Sequence, residues 1–308
     1  VADISMNLGT DAMPLAFSSI EQLPQMLPTV VVIIPCFNDG ETLLEAVRSA
    51  QAQSRVDELV VVDDGSDDLA TLNVLAALEA AGVVVVHRPN GGPGAARMSG
   101  VKASCADYIL ALDADDRLLP GAITALADEL DSDPELALAW GDYCLFGQRS
   151  YRQQTAPTLD AWQIAYQNDL PSATMIRRSA LLAAGGWEQS GGYEDWGLWM
   201  SFAESGAKGR RVERIIYEYR QHGSRRLAED AARHTEAYAL LCSRHAALLN
   251  ARRAAWRRSS VPLGLRLSLP VIFVLPIDAN RRRLLAGAAC HLAYRRGIRT
   301  LVHRIAKS

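Results

Sequence analysis

The 308-residue sequence predicts an α/β protein: a doubly wound, mostly parallel sheet with helices on both faces, followed by a helical, basic C-terminal extension. Three observations lead there. Apolar runs of strand length alternate with segments of helical period from residue 30 to residue 112, and such alternation builds parallel sheets with right-handed crossovers. Each run stops in polar or turn residues, as strands do at the ligand-bearing rim of an open α/β sheet. From residue 251 onward thirteen Lys/Arg face a single acid, Asp278, so this stretch carries +12 and the first 250 residues −15, giving the net −3.

Hydrophobic residues make up 49% of the chain, enough for a substantial core and against disorder. The five cysteines (Cys36, Cys105, Cys144, Cys242, Cys290) are scattered without C-x-x-C spacing, which predicts neither a disulfide framework nor a zinc site and points to a reducing compartment. No basic segment followed by an apolar run and a cleavage site begins the sequence, so no secretory signal is expected. The longest apolar stretch, Val261 to Ile277, is interrupted by Pro262, Arg266, Pro270 and Pro276 and falls short of the ~20 residues of a membrane span. The expected location is cytoplasmic, with the extension as a candidate peripheral contact at the inner membrane face.

Residues 1–28, with Pro14, Pro24 and Pro28, read as an N-terminal arm. Val30 to Ile34 is a β-branched strand stopped by Pro35, and Leu44, Val47 and Ala50 mark a helix over Glu41 to Gln53. The unit repeats: strand Leu59 to Val62, helix Leu69 to Ala81 ended by Gly82, strand Val83 to His87, a glycine-rich loop, helix Ala95 to Ala103, and strand Tyr108 to Leu112. Beyond lie strand Leu136 to Phe146, a polar loop Tyr151 to Pro157, a short helix Leu159 to Tyr166, strand Thr174 to Arg177 and helix Ser179 to Ala184. The expected division is an arm (1–28), a first half of the α/β body (29–120), a second half (121–226), and the extension (227–308), whose first part, Glu229 to Arg258, reads as one helix or two.

The chemistry gathers at the strand ends. Asp113 and Asp115 of Asp113-Ala114-Asp115-Asp116 project to one side of an extended chain, and two hard oxygen ligands suit Mg²⁺ or Mn²⁺ carrying a substrate's phosphates. A solvated acidic turn before the helix near Pro120 accounts for the same residues. Other rim segments fit a nucleotide: carboxylates accept from base N–H and ribose hydroxyls, Phe37 can cover a base, and Arg97 can face phosphate. Asp63 and Asp64 also read as a turn before a helix capped by Ser66 or Asp67. Glu194 and Asp195 follow Gly191 and Gly192 at the start of an aromatic-rich helix, where the helix dipole favours anions, so capping is an alternative there too.

Four ordered motifs resemble the family 2 glycosyltransferases, whose nucleotide-binding fold is called GT-A. They are Val31-Val32-Ile33-Ile34-Pro35-Cys36-Phe37-Asn38; Val60-Val61-Val62-Asp63-Asp64-Gly65-Ser66; Asn90-Gly91-Gly92-Pro93-Gly94-Ala95-Ala96-Arg97; and Leu112-Asp113-Ala114-Asp115-Asp116. The resemblance implies nucleotide contacts from Pro35, Phe37, Asn38, Asp39, Asp64 and Arg97, and diphosphate and metal contacts from Asp113 and Asp115. Glu194-Asp195-Trp196 stands where the family carries its general base, which makes Asp195 that base and Glu194 its neighbour. Tyr219-Arg220-Gln221-His222 resembles the family's closing segment and implies a diphosphate or metal contact from His222 and Arg220. Met98 departs from the Asn usual after the arginine.

The implied activity is metal-dependent transfer of a hexosyl or N-acetylhexosaminyl group from a nucleoside-diphosphate sugar to a hydroxyl of a glycan, a lipid-linked acceptor or a small molecule, with inversion. Rival readings are a phosphohydrolase of the haloacid dehalogenase type using Asp113 and Asp115, and a sugar-nucleotide-binding protein without turnover. A dinucleotide oxidoreductase lacks its full glycine fingerprint. The extension reads either as an anionic-membrane contact or as a helical cap whose arginines pair with the acidic core; no nucleic-acid motif accompanies it.

Overall fold

The computed structural model describes residues 27–147, 150–187, 192–221 and 236–294. The arm lies outside them except for its last two residues. Three βα units come first: β1 (Val30–Cys36), α1 (Gly40–Gln51), β2 (Glu58–Asp63), α2 (Leu69–Ala80), β3 (Val84–His87) and α3 (Pro93–Ala103). Then follow β4 (Tyr108–Ala111), β5 (Arg117–Leu118), α4 (Ala122–Ser132), β6 (Leu136–Gly147), β7 (Tyr151–Gln153), α5 (Ala161–Ile164), β8 (Met175–Arg177), α6 (Arg178–Ala183), α7 (Glu194–Glu204) and β9 (Lys208–Gln221). The extension holds helical residues 236–244 (α8), then α9 (Ala246–Arg258), α10 (Leu263–Val274) and α11 (Ala279–Tyr294).

One sheet runs in the order β3-β2-β1-β4-β8-β6-β9-β5, with β7 on β6. It is parallel from β3 to β4. β8 then enters antiparallel between β4 and β6, while β6 and β9 are parallel again. β6 therefore points the same way as β4, and the ends of β1, β2, β4, β6 and β9 share one rim. β7, expected as loop, pairs with β6. β5 pairs Arg117 and Leu118 with Glu218 and Tyr217; two residues are too few for any period to announce.

The β-branched run of β1 is buried on both faces, as a central parallel strand requires. Val30, Val32 and Ile34 face a cluster with Leu43, Val47 and Ala50 of α1 and Leu126 and Leu130 of α4. Val31 and Ile33 face the opposite layer, with Ala96 and Val101 of α3, Leu181 of α6 and Trp199 and Phe202 of α7. Pro35 does not stop β1 as expected: it pairs with Val62. On the other side β4 ends at Ala111 opposite Ile33, so no neighbour needs the N–H that proline lacks. A Cβ on Gly100 would stand 2.4 Å from Ile33 Cγ2, which measures how closely α3 rides on β1.

The cap of α2 is Asp68, whose carboxylate accepts from Thr71 N–H at 2.9 Å, and not Ser66 or Asp67. Met98 is a packing residue: its Sδ stands 2.5 Å from where a Gly186 Cβ would be, and it joins the α3–α7 layer. All five cysteines are free thiols. The extension packs on the catalytic body through Trp162 and Tyr166, against Val261, Leu265 and Leu269 of the α10 segment and Ala286 and Cys290 of α11. Among the described residues, the side-chain bonds of three of its arginines stay within it. Arg266 donates to Trp256 O, Arg282 to Leu275 O and Ile277 O, and Arg281 bridges Asp278, all within the extension. Among the described residues no helix is long and apolar enough to cross a membrane.

Candidate active site

Arg97 holds the site together. It lies one helical turn before Gly100, so the close approach of α3 to β1 sets it over the rim, and its side chain is only 3% exposed. One guanidinium serves three carboxylates: Nη2 donates to Asp113 Oδ1 at 2.7 Å, and Nη1 to Glu194 Oε1 at 2.9 Å and Asp195 Oδ1 at 3.0 Å. It thereby ties the end of β4 to the start of α7, residues 82 apart in sequence for Asp113 and Asp195. Both Nη atoms of Arg97, expected to face phosphate, thus engage carboxylates, while its Nε is buried without a hydrogen-bond partner in the described structure.

Trp187, which sequence reasoning did not select, donates from Nε1 to Asp195 Oδ1 at 2.9 Å, and the Arg97 guanidinium lies 5.8 Å from its ring centre. The one sequence signal beside it is the glycine pair Gly185-Gly186 that directly precedes it. Tyr193, directly before the acidic pair, takes φ 58°, an uncommon left-handed conformation for a non-glycine residue and one that collects at functional sites. Its ring meets Trp196 edge-on at 5.5 Å, and this turn starts α7 with Glu194 and Asp195 in its first turn.

Burial pushes the Asp195 carboxyl up to about 7; Arg97 opposes this, while Glu194 and Asp113 add to it. Asp195 is half-buried, its side chain 19% exposed, and three carboxylates share one cation there, so the ionised form is disfavoured. Both described bonds to Asp195 fall on Oδ1, which leaves Oδ2 to receive a proton. A carboxylate whose affinity for protons lies near neutrality is suited to general-base work.

The acidic segment after β4 is not extended. Asp116 N–H donates to Asp113 O at 3.0 Å, closing a turn over 113–116, so the expected period-two alignment of Asp113 and Asp115 gives way to turn geometry. Both stay partly exposed on the rim. Asp116 is instead 1% exposed; its Oδ1 accepts from Arg220 N–H at 2.9 Å and its Oδ2 is buried without a partner in the described structure. Burial first, then the charges of Asp113 and Asp115, raise it well above the usual carboxylate range. Arg220 donates to Asp115 O at 2.8 Å and to Glu45 at 2.7 Å, and stacks on Phe146. It thus braces the acidic turn from β9. His222 lies outside the described residues.

The remaining nucleotide-side residues cluster at the ends of β1 and β2. Phe37 is 45% exposed on the rim, beside Pro35, and Asp39 directly precedes α1. Asn38 (φ 56°) is committed to the β2–α2 loop: Oδ1 accepts from Asp67 and Asp68 N–H at 3.0 and 3.1 Å, and Nδ2 donates to Asp67 at 2.8 Å. Asp64 accepts from Gly92 N–H at 2.7 Å and Gly91 N–H at 3.1 Å, and from Arg88, so it organises the glycine loop that opens α3. Asp63 accepts from Ser66 N–H and pairs with His87 Nδ1, both at 2.9 Å.

A rim with an exposed aromatic at one end, two partly exposed carboxylates at its centre and a half-buried, proton-avid carboxylate joined to one of them by Arg97 can bind a phosphorylated ligand and deprotonate a hydroxyl beside it. The glycosyl transferase family 2 model matches residues 31–183. An N-acetylglucosaminyltransferase of Bradyrhizobium elkanii is 32% identical over 130 residues, covering 40% of this chain and 71% of that one. The chain belongs to glycosyltransferase family 2. Chondroitin synthase of Escherichia coli is 27% identical over 210 residues, covering 64% of this chain; the chain spans only 29% of that longer protein. The crystal structure of S. aureus TarS 1-349 in complex with UDP-GlcNAc superposes with a TM-score of 0.56 at 16% identity, covering 84% of this chain and 79% of that one, a likeness of fold. As a family 2 glycosyltransferase of this fold, the chain is neither a haloacid-dehalogenase-type phosphohydrolase nor a dinucleotide oxidoreductase.

Proposed function

We propose that this glycosyltransferase moves a hexosyl or N-acetylhexosaminyl group from a nucleoside-diphosphate sugar to an acceptor hydroxyl with inversion, assisted by Mg²⁺ or Mn²⁺. The observation that carries the reading is the Arg97 bridge, which sets the donor-side carboxylate Asp113 and the base Asp195 on one guanidinium. The names of the relatives support the donor class: one is an N-acetylglucosaminyltransferase and the fold neighbour holds UDP-GlcNAc.

The reaction asks two things of the chain. An acceptor hydroxyl, a poor nucleophile at neutral pH, loses its proton to Asp195 Oδ2 as its oxygen bonds to the anomeric carbon; general-base help of this kind is worth ~10²–10⁴-fold. The bond from that carbon to the diphosphate oxygen breaks on the opposite face, and the nucleoside diphosphate leaves with its charge. Phe37 covers the base, while Asp64 and Asn38 hold the loops that shape its pocket. Arg97 fixes Asp195 and Asp113 relative to each other and is a positioning residue.

Among the described residues no three His, Cys, Asp or Glu side chains converge on a metal site. Mg²⁺ does not need such a set, since one or two carboxylates with substrate phosphates suffice. Asp113 and Asp115, hard oxygen donors partly exposed at the rim, fit that requirement, with His222 as a further candidate. The metal, when bound, neutralises charge on the leaving diphosphate. The test is a panel of nucleotide sugars with Mn²⁺ or Mg²⁺, scoring donor hydrolysis and transfer. One or more donors are turned over, EDTA abolishes turnover, and Asp115→Asn abolishes it while the circular dichroism spectrum is unchanged. Full activity in EDTA sinks the metal role, and inertness toward every donor leaves a sugar-nucleotide binder.

A further inference from the structure

We infer that the hairpin of α10 and α11 docks in the plane of an anionic membrane surface, with its outward apolar stripe entering the headgroup boundary. The inference rests on which residues each helix buries. In a helix of 100° per residue, positions two apart lie on nearly opposite faces. α10 buries Leu265 and Leu269 against Trp162 and Tyr166, and its opposite face carries Leu263, Leu267, Val271 and Val274, each at least 55% exposed. α11 repeats the arrangement: Ala286 and Cys290 are buried, whereas Leu284, Leu285 and Leu292 are 68, 46 and 52% exposed. A helix that seals one stripe into the core ordinarily turns polar residues outward. Here both helices turn leucine and valine outward, and contiguous exposed apolar surface of this kind marks an interaction site.

Charge selects the partner. The stretch from residue 251 carries thirteen Lys/Arg and one acid. Arg252, Arg253, Arg257, Arg258 and Arg281 are exposed, and the described contacts of Arg252, Arg266 and Arg282 are to the Tyr166 ring and to carbonyls of this region, none of them an acid. Cations beside an apolar stripe match lipid headgroups over acyl chains. A second copy of the chain would set +12 against +12. α10 has 12 residues, ~18 Å at 1.5 Å per residue, short of the ~30 Å hydrocarbon core, so it lies in the surface and does not span. Such docking holds the chain at the bilayer surface, where an acceptor with a lipid tail is met in two dimensions.

The test is flotation of the full chain with phosphatidylglycerol-containing vesicles and with neutral phosphatidylcholine vesicles, alongside the exposed-site variant Leu267→Asp/Val271→Asp. The full chain floats with anionic vesicles and stays behind with neutral ones, and its binding falls as salt rises from about 0.1 M to about 0.5 M. The double variant loses about tenfold or more of the binding while its thermal melt and its donor hydrolysis stay as in the parent. A parent chain that ignores anionic vesicles overturns the proposal, as does a double variant that floats equally well. If the parent ignores vesicles and light scattering shows a dimer that the double variant dissolves, the stripe is a contact between copies. Donor hydrolysis is read separately, so failure of the membrane proposal leaves the transferase reading intact.

Discussion

Replacing Arg97 by Met removes the cation that three carboxylates share. In the parent, Asp113, Glu194 and Asp195 sit within 3.0 Å of a guanidinium whose side chain is 3% exposed. Methionine fills similar volume, so the packing loss is small and the electrostatic loss dominates. Removing one partner of a buried ion pair costs ~3–5 kcal/mol, because the remaining charge is uncompensated, and here three acids are left facing one another. The cost depends on pH in a definite direction. Asp195 has a folded value near 7 against 3.8 for the ordinary group; an acid whose folded pKa is raised destabilises the fold when ionised, above that value, and the penalty disappears as pH falls toward the unfolded value. Loss of Arg97 raises Asp195 further, because the guanidinium is what opposes its upward shift. The gap in stability between parent and Arg97→Met is therefore widest above pH ~7 and narrows as pH falls toward ~4. Urea unfolding followed by tryptophan fluorescence, in EDTA so that no cation substitutes, measures it at about pH 8 and about pH 5.5. Equal unfolding midpoints at the higher pH, or a gap that widens on acidification, would refute the electrostatic account.

Two further perturbations test the scaffold. His87 is raised above 6.5, chiefly by its hydrogen bond to Asp63, so the stability that His87 confers over His87→Gln is fully present below pH 6.5 and is lost as pH rises through the folded value; a difference that instead grows with pH contradicts the pairing. Gly100→Ala places a methyl 2.4 Å from Ile33 Cγ2 and is expected to cost ~1–3 kcal/mol in a denaturant titration, with Arg97 displaced and turnover lowered; a variant as stable and active as the parent would show that α3 has room to shift.

Much of the first half was legible because β1, β4 and most of β2 are buried and so read as continuous apolar runs, each closed by a polar turn. Val30 to Ile34 reads as a strand for that reason, and Leu44, Val47 and Ala50 mark the helix after it by their spacing, although the leucine it buries is Leu43. The second half hid more. β5 is two residues long and owes its existence to pairing with β9; β7 is held by β6 and not by any alternation of its own. The end of β1 was misjudged because proline normally ends a strand, and only the shortness of β4 makes it harmless. In the site, residue types were visible but their commitments were not. Nothing in the Asn90 to Arg97 loop says that its arginine spends every described bond on carboxylates, or that Asp64 and Asn38 serve their own loops. Trp187 carries no signal of its own beyond the glycine pair before it, and its bond to Asp195 is set by the turn at Tyr193 (φ 58°), which only the folded chain displays. The outward stripe of α10 likewise needed the burial pattern, since Leu263, Leu265, Leu267 and Leu269 alternate in the sequence and only packing tells which pair is covered.

The central claim is that Asp195 is the base that takes the acceptor's proton, and Asp195→Asn tests it most directly. The asparagine carbonyl oxygen can still accept from Arg97 and Trp187, so the site's geometry is retained while the proton acceptor is lost. With a donor identified from the panel, kcat is expected to fall by ~10²-fold or more with donor affinity, measured by calorimetry, nearly unchanged. Turnover close to the parent's, with donor binding sharply weakened, would place Asp195 in the donor pocket and contradict the account.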